Sequence, residues 1–229
     1  MCGRIANTLP SDAMAQMFSA VPANKLPNVP NYNICPTTGI HVVMGADPGN
    51  SDGTRKLVQM RWGFIPHWYK APNDGPLLIN ARAETLAEKP AFRMACRECR
   101  CLIPVTGYYE WTKDQAGKRW PWYFSAEGQM ALAGVWQDWS VDGETQRSCA
   151  VVTTGANTQV SKIHHRMPVI ISQENWGLWL GEQGHGAATL MTPAPQGVIS
   201  FHAVDPKVNS NKASGPDLIE PFEDGPPNS

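Results

Sequence analysis

Residues 101–111 read CLIPVTGYYEW, an apolar run that continues beyond Gly107 into aromatic residues. Aliphatic, β-branched and aromatic side chains at this density are typical of a β-strand buried in a sheet. Shorter runs of the same kind follow at close spacing, and glycines separate them. We therefore predict consecutive strands at residues 101–111, 122–125, 130–139 and 148–154.

Further elements are predicted on both sides of these strands. Residues 40–44, 57–62 and 199–204 are also strand-like, whereas residues 28–38 are rich in Pro and Asn and predict an irregular loop. Helical composition is found in three segments, at residues 11–20, 83–95 and 173–180. In the first of these helices, Ser11 is the expected N-cap, and one face carries Met14, Met17 and Phe18.

Strands joined by short turns, with helices at intervals, predict the fold class. The expected structure is a single α+β domain around a curved, mainly antiparallel sheet with flanking helices. The domain is expected to cover residues 1–222, and residues 223–229 are expected to form a disordered tail.

The composition is that of a loop-rich globular protein. Of 229 residues, 20 are glycine, 20 are proline and 17% are charged. The formal net charge of −1 creates no overall field that attracts nucleic acid, so a polyanion site requires local clustering of cations. Neither a signal peptide nor an apolar run of roughly 18–20 residues is found, which predicts a cytoplasmic protein without a membrane span. The six cysteines are then expected to remain reduced.

The chain begins Met1-Cys2-Gly3-Arg4, and this terminus has distinctive chemistry. Removal of Met1 would leave Cys2 with a free α-amine and a thiol on adjacent carbons. Their reference pKa values are about 7.7–8.0 for the amine and about 8.5 for the thiol. An aldehyde can form an imine with the amine, and the sulfur can then close a five-membered ring. Taken alone, this terminus still favours an ordinary second residue, and only the other motifs change that balance.

Two further positions have the chemistry of proton transfer. Glu110 lies between Tyr109 and Trp111, and a carboxyl group in apolar surroundings has a raised pKa. In isolation, an outward-facing strand residue bonded to a turn is the better explanation of Glu110. His164 and His165 lie in a loop, where histidine can transfer protons at pH 7. A solvated basic loop explains these histidines equally well.

Cations and aromatic residues suitable for nucleic acid are also present. Arg82 and Arg166 can each hold a phosphate through two hydrogen bonds, and Arg4 follows the candidate nucleophile. Trp68 and Tyr69 lie in a proline-flanked loop, where they can stack on bases or pack as ordinary loop residues.

Three closely spaced cysteines invite a metal interpretation. A structural zinc site needs four ligands, whereas Cys96, Cys99 and Cys101 supply only three. Cys101 begins an apolar strand, which favours a small buried side chain. No metal and no cofactor are predicted.

Taken together, the motifs resemble the SOS response-associated peptidase (SRAP) family, and the likeness covers most of the chain. Met-Cys-Gly alone is weak, because class II glutamine amidotransferases also begin that way, but several motifs in the same order are specific. The matching segments are Met1-Cys2-Gly3-Arg4, Asn80-Ala81-Arg82-Ala83-Glu84-Thr85, Gly107-Tyr108-Tyr109-Glu110-Trp111, Ile163-His164-His165-Arg166 and Leu218-Ile219. The resemblance implies the SRAP fold, with a barrel-like sheet, and the processing of abasic sites in DNA.

The resemblance also implies roles for the residues that match. After removal of Met1, Cys2 would react with the ring-opened aldehyde of an abasic site in single-stranded DNA, giving a thiazolidine crosslink that shields the lesion. Asn80 would contact Cys2 and the lesion. Glu110 would transfer protons and assist removal of Met1, and His164 would assist imine formation and crosslink reversal.

The DNA contacts implied by the resemblance lie outside this centre. Arg82 and Arg166 match phosphate-binding positions. Pro36, Trp68 and Tyr69 fall where the family places a wedge against duplex DNA, although Tyr69 stands where a second Trp is common. The expected partner is single-stranded DNA with abasic sites, including strand junctions, bound by a monomer that associates with the nucleoid.

Two other functions remain open at this point. An N-terminal-nucleophile amidohydrolase also uses a free N-terminal Cys to attack glutamine, but it would normally be joined to a synthase domain. A non-covalent reader of modified DNA would bind through the same arginines and form no adduct.

Overall fold

The structure is a computed structural model that describes residues 2–45 and 54–225. Within these residues the chain forms thirteen strands and three short α-helices, joined by turns and 3₁₀-helices. The strands are β1 (Ile5–Asn7), β2 (Ala20–Pro22), β3 (Asn31–Ile34), β4 (Gly39–Met44), β5 (Arg55–Trp62), β6 (Asn80–Arg82), β7 (Arg100–Val105), β8 (Gly107–Lys113), β9 (Arg119–Ser125), β10 (Met130–Val141), β11 (Glu144–Gly155), β12 (Arg166–Pro168) and β13 (Ser200–Ala203). The helices are α1 (Ser11–Met17), α2 (Arg93–Glu98) and α3 (Trp176–Leu180).

Five strands form a closed barrel. Strands β5, β4, β7, β10 and β11 are antiparallel neighbours in that order, and a parallel pairing between β11 and β5 closes the ring. Strand β2 pairs with β5, while β6 and β12 pair with β11. Closure pairs the two edge strands, β5 and β11, with each other. Strand β6 pairs with the last part of β11, which the His164 loop follows.

A second, five-stranded antiparallel sheet packs beside the barrel in the order β13-β9-β8-β1-β3. Strand β1 pairs only with the first half of β8, where Ile5 faces Tyr108 and Ala6 faces Gly107. The second half of β8, from Glu110 onward, therefore has no β1 partner beside it. The expectation of an α+β domain around a curved, mainly antiparallel, barrel-like sheet is confirmed.

The main core joins the barrel to the second sheet. Barrel residues such as Trp62 and Ile103 are fully buried in the same cluster as Cys2, Tyr108 and Phe124. The helices cover the outer surface of the barrel instead, where Phe18 beside α1 and Trp176 of α3 stack with ring centroids 4.2 Å apart. The N-terminal segment is thus built into the core rather than laid on the surface.

Several predicted elements differ from those observed. The predicted single strand 101–111 is two strands, because the chain turns at Thr106 and passes from the barrel into the second sheet. The predicted loop 28–38 contains β3, which pairs with β1. Helix α1 is capped by Pro10, while Ser11 lies within hydrogen-bond distance of His41 Nε2, at 3.2 Å.

The predicted helix at residues 11–20 is shorter than expected. Met14 and Phe18 are buried as expected, but Met17 is 39% exposed and the helix ends there. Of the predicted tail, residues 223–225 follow a backbone hydrogen bond from Phe222 to Ala203, and residues 226–229 lie outside the described residues. Within the described ranges, none of the helices has the length and apolar character needed to cross a membrane.

Gly107 is required where the chain enters the second sheet. A Cβ at this position would overlap with the ring of Tyr123, which is buried beside Tyr109. We expect Gly107→Ala to lower the free energy of unfolding by about 1–3 kcal/mol, because a rigid buried ring must move. Gly155→Ala is the matched control, since a Cβ there meets nothing within 4 Å, and its effect should stay within about 0.5 kcal/mol. Urea unfolding of both variants measures the difference, and equal midpoints would contradict the assignment.

Candidate active site between the two sheets

Cys2 lies at the junction of the two sheets. Its side chain is 1% exposed, and its carbonyl oxygen accepts a hydrogen bond of 2.8 Å from Asn80 Nδ2. Asn80 begins β6, on the barrel side, whereas the residues after Cys2 lead directly into β1 of the second sheet. The backbone of Cys2 is therefore held from the barrel side and from the second sheet at once.

Glu110 and His164 are neighbours in the same part of the structure. Glu110 is 3% exposed, and its Oε2 lies 3.9 Å from His164 Nε2. Burial raises the pKa of Glu110 to about 7. Burial also lowers the pKa of His164, and its Nδ1 lies 3.0 Å from the backbone nitrogen and 3.1 Å from the backbone oxygen of Arg166. The His164 ring is thus fixed by the neighbouring backbone, with Nε2 directed towards Glu110.

The thiol of Cys2 is held protonated in this environment. Burial raises its pKa well above the usual range, and the charge of Glu110 adds to this effect. The Tyr108 hydroxyl is in the same situation, because burial raises its pKa well above the usual range. A buried thiol with a raised pKa is a poor nucleophile. This favours the reaction order given by the sequence analysis, in which the amine forms the imine first and the sulfur closes the ring afterwards.

Two buried polar atoms beside Cys2 have no protein partner. The Tyr108 hydroxyl and Asn80 Oδ1 lack a hydrogen-bond partner among the described residues, although Tyr108 is completely buried. Unsatisfied buried groups are rare and costly, and in native proteins they often mark a ligand or water site. Tyr108 was not singled out from the sequence, because beside Tyr109 in an apolar strand it is indistinguishable from a core aromatic residue.

The predicted phosphate-binding arginines are in different states. Arg166 donates to both carboxylate oxygens of Glu84, at 2.7 and 2.9 Å, and to the Thr153 carbonyl at 2.7 Å. The hydrogen bonds from Arg166 hold the pKa of Glu84 below its usual range. Arg82, two residues before Glu84, is exposed and forms no hydrogen bond or ion pair with another described residue. Arg82 therefore has its donors available, whereas Arg166 would have to exchange a carboxylate for a phosphate.

Arg4 is held by the protein itself. Its Nη1 donates to Asn33 Oδ1 and to the Val208 carbonyl, the latter at 2.8 Å, and its Nη2 donates to Asn211 Oδ1 at 2.8 Å. These contacts tie the N-terminal segment to the segment that follows β13. Arg4 lines the same cavity as Glu110, but most of its hydrogen-bonding capacity is already used.

The predicted wedge residues lie on two loops of the structure. The turn that holds Pro36 is joined to the end of β5, which precedes the Trp68 loop, through a 2.7 Å hydrogen bond from the Thr37 nitrogen to the Trp62 carbonyl. Trp68 is 49% exposed, as expected for a stacking residue. Tyr69 instead turns back to its own loop, where its hydroxyl lies 3.4 Å from the Pro76 carbonyl. No contact within the described residues joins this group to Glu110 or His164.

The cysteines at 96, 99 and 101 do not gather around a common point. Cys101 is completely buried, whereas Cys96 and Cys99 are half-buried at the end of α2. In the described part of the chain, no three His, Cys, Asp or Glu side chains are placed to hold a metal ion.

The sequence matches the model of a known protein family. The model of the family described as SOS response associated peptidase (SRAP) matches residues 1–211. The chain belongs to this family. The matched range includes Cys2, Asn80, Glu110 and His164.

Relatives and solved structures of the SRAP fold agree with this placement. The abasic site processing protein YoqW of Bacillus subtilis is 32% identical, over 96% of this chain and 99% of its own length. The abasic site processing protein HMCES of Rattus norvegicus is 28% identical, over 97% of this chain and 76% of its own length. A crystal structure of a Bacteroides thetaiotaomicron protein superimposes with a TM-score of 0.83 at 22% identity, covering 96% of this chain and all of the other. This last likeness concerns the fold alone.

Proposed function

We propose that this chain processes abasic sites in DNA by capturing them covalently at Cys2 after removal of Met1. The observation that carries the proposal is the contact between buried Glu110 and half-buried His164, 3.9 Å apart near Cys2, with the pKa of Glu110 raised to about 7. The relatives that are named abasic site processing proteins support the choice of lesion. The same site is proposed to take part in removing Met1.

The proposed chemistry is a condensation that releases one water molecule. The α-amine of Cys2 adds to the C1′ aldehyde of the ring-opened sugar, and the carbinolamine loses its hydroxyl as water to give a C=N bond. The sulfur then bonds to this carbon, while its proton passes to the nitrogen, which closes the thiazolidine ring. Each step needs a proton delivered or removed beside C1′, and Glu110 and His164 are the groups suited to do so.

The surroundings of Cys2 suit a polar sugar. The Tyr108 hydroxyl and Asn80 Oδ1 have hydrogen-bonding capacity that no described residue uses. A ring-opened abasic sugar offers its C1′ aldehyde oxygen and its C4′ hydroxyl as such partners, whereas an intact nucleotide would also have to place a base. We propose that the lesion binds in a single strand, with Arg82 on a flanking phosphate and Trp68 and Pro36 against the end of a duplex.

The decisive experiment is the intact mass of the protein before and after incubation with an oligonucleotide that contains one abasic site. The proposal requires mature protein that lacks Met1, and a gain equal to the oligonucleotide minus one water. A glutaminase would release ammonia from glutamine without this adduct. A non-covalent reader would bind the oligonucleotide and show no gain in mass after denaturation.

A second experiment tests the amine. A variant with one residue inserted before Cys2 keeps the thiol but moves the free amine to another carbon, so the five-membered ring cannot close. We expect this variant to form no adduct that survives denaturation, although its affinity for undamaged single strands should be unchanged. Normal adduct yield from the extended variant would sink the thiazolidine mechanism.

A further inference from the structure

Glu110 and His164 line a cavity that also includes residues without a role in the proposed chemistry. It has a volume of about 430 Å³, and its walls also include Trp111, Arg119 and Asn209. The cavity lies at the second half of β8, where β1 no longer pairs. Successive side chains of a strand point to opposite faces, and both Glu110 and Trp111 line the cavity. The cavity therefore extends past the edge of β8 from one face of the sheet to the other.

Trp111 forms a fixed platform in this cavity. Its indole nitrogen donates a hydrogen bond of 2.7 Å to Asn209 Oδ1. Two guanidinium groups lie against its ring, with the Cζ of Arg119 5.2 Å and the Cζ of Arg4 5.9 Å from the ring centroid. These distances are within the range of cation–π interactions, so the ring orients both cations.

The two arginines at Trp111 differ in what they can still bind. The guanidinium group of Arg4 already donates hydrogen bonds to Asn33, Val208 and Asn211. Arg119 is exposed and makes no hydrogen bond or ion pair with any described residue. The carboxylate nearest to it along the chain, Asp114, accepts hydrogen bonds from the Trp120 indole and from two backbone nitrogens of its own turn. Arg119 is thus oriented by Trp111 while its donors remain available.

We propose that Arg119, positioned on Trp111, binds a backbone phosphate of the DNA on the flank of the lesion opposite to Arg82. Arg82 stands on β6, which pairs with the barrel, and Arg119 stands on β9 of the second sheet. Cys2 lies between them, since it is bound by Asn80 of β6 and leads into β1, the neighbour of β8. A strand that places its abasic sugar at Cys2 therefore directs its two flanks towards different sheets. This inference rests on the proposed function, because the lesion fixes the register of the strand.

The test uses Arg119→Gln with Lys118→Gln as the matched control. Lys118 is the preceding exposed cation, but its ammonium group lies 3.8 Å from the Trp120 ring centroid, on the other face of the strand. Binding of an undamaged single strand is measured at several salt concentrations. About three phosphate contacts give a slope of log affinity against log salt of roughly −2, and loss of one contact should reduce its magnitude by about 0.7. We expect this reduction and about threefold to tenfold weaker binding in Arg119→Gln, and no change of slope in Lys118→Gln.

Capture of three abasic oligonucleotides then locates the contact. One has the lesion at its centre, one has only the 5′ flank, and one has only the 3′ flank. Arg119→Gln should slow capture of the central lesion and of one single-flank oligonucleotide, and should match the unmodified protein on the other. Equal slowing on all three, an unchanged salt slope, or the same loss in Lys118→Gln would overturn the proposal. Failure of the proposed function is seen separately, as no adduct with the unmodified protein.

Discussion

Replacing Cys2 with serine is expected to abolish the stable adduct with abasic DNA. Once Met1 is removed, serine has the same α-amine and nearly the same size, so the variant can still form the imine. Its hydroxyl is a much weaker nucleophile than a thiol group, so ring closure fails and the imine hydrolyses. Denaturing gels should show no crosslink, whereas reduction of the imine during incubation should restore a covalent band. This pair of results separates the contribution of the sulfur from that of the amine.

The same variant discriminates between the candidate functions. Affinity for undamaged single-stranded DNA should be unchanged, because Arg82 and Arg119 are untouched. Intact mass of the purified variant reports separately whether Met1 is removed without the thiol group, which distinguishes self-processing from an aminopeptidase. A thiazolidine-sized adduct that persists in Cys2→Ser would refute covalent capture at this residue.

The strand content of the fold could be predicted from the sequence, but the assignment of strands to sheets could not. Apolar runs marked β4, β5, β7, β9, β10 and β11. The run at 101–111 is mostly apolar, because its first half lies in the barrel and the tyrosines of its second half are buried in the second sheet. The apolar pattern does not mark the turn, and the need for glycine at position 107 comes from Tyr123, which is 16 residues away in the chain. The N-cap prediction for Ser11 was wrong for a similar reason, since its hydroxyl contacts His41 of β4.

The candidate site was predictable as a set of residues but not as a geometry. Four separate motifs supplied Cys2, Asn80, Glu110 and His164, and the structure brings them together. No local pattern, however, indicated that the Arg166 guanidinium group donates hydrogen bonds to the Glu84 carboxylate. Arg119 follows a turn with no motif around it, so only its position over Trp111 marks it as a candidate.

Replacing Glu110 with glutamine is expected to have the second largest effect. Glutamine has the same shape but cannot deliver or accept a proton, and general acid–base catalysis contributes typically about 10²–10⁴-fold. We expect capture at pH 6.5 to slow by about 100-fold, measured as a single-turnover rate with protein in excess. Glu98→Gln makes the same change of residue type at an exposed position on α2, so it is the control and should leave the rate unchanged.

The rate of capture is expected to depend on pH through Glu110 and the amine of Cys2. Because burial raises the pKa of Glu110 to about 7, its carboxyl group is protonated below that pH and serves as an acid there. The amine of Cys2 must be unprotonated, which requires a pH approaching its own pKa of about 7.7–8.0. The rate should therefore pass through a maximum between these values and fall on both sides. In Glu110→Gln the upper limb should disappear, leaving a rate that only rises with pH.

Stability separates this catalytic effect from a folding defect. A carboxyl group whose pKa is higher in the folded state stabilises the fold below its unfolded pKa, and that contribution is lost as the pH rises through about 7. Glu110→Gln has no charge to bury, so its stability relative to the unmodified protein should increase between about pH 4.5 and 7. Thermal melts at pH 5 and pH 8 measure the change. A variant that is slow and also less stable at pH 8 would mean that Glu110 maintains the structure of the site, whereas one that is slow but at least as stable identifies Glu110 as the group that moves the proton.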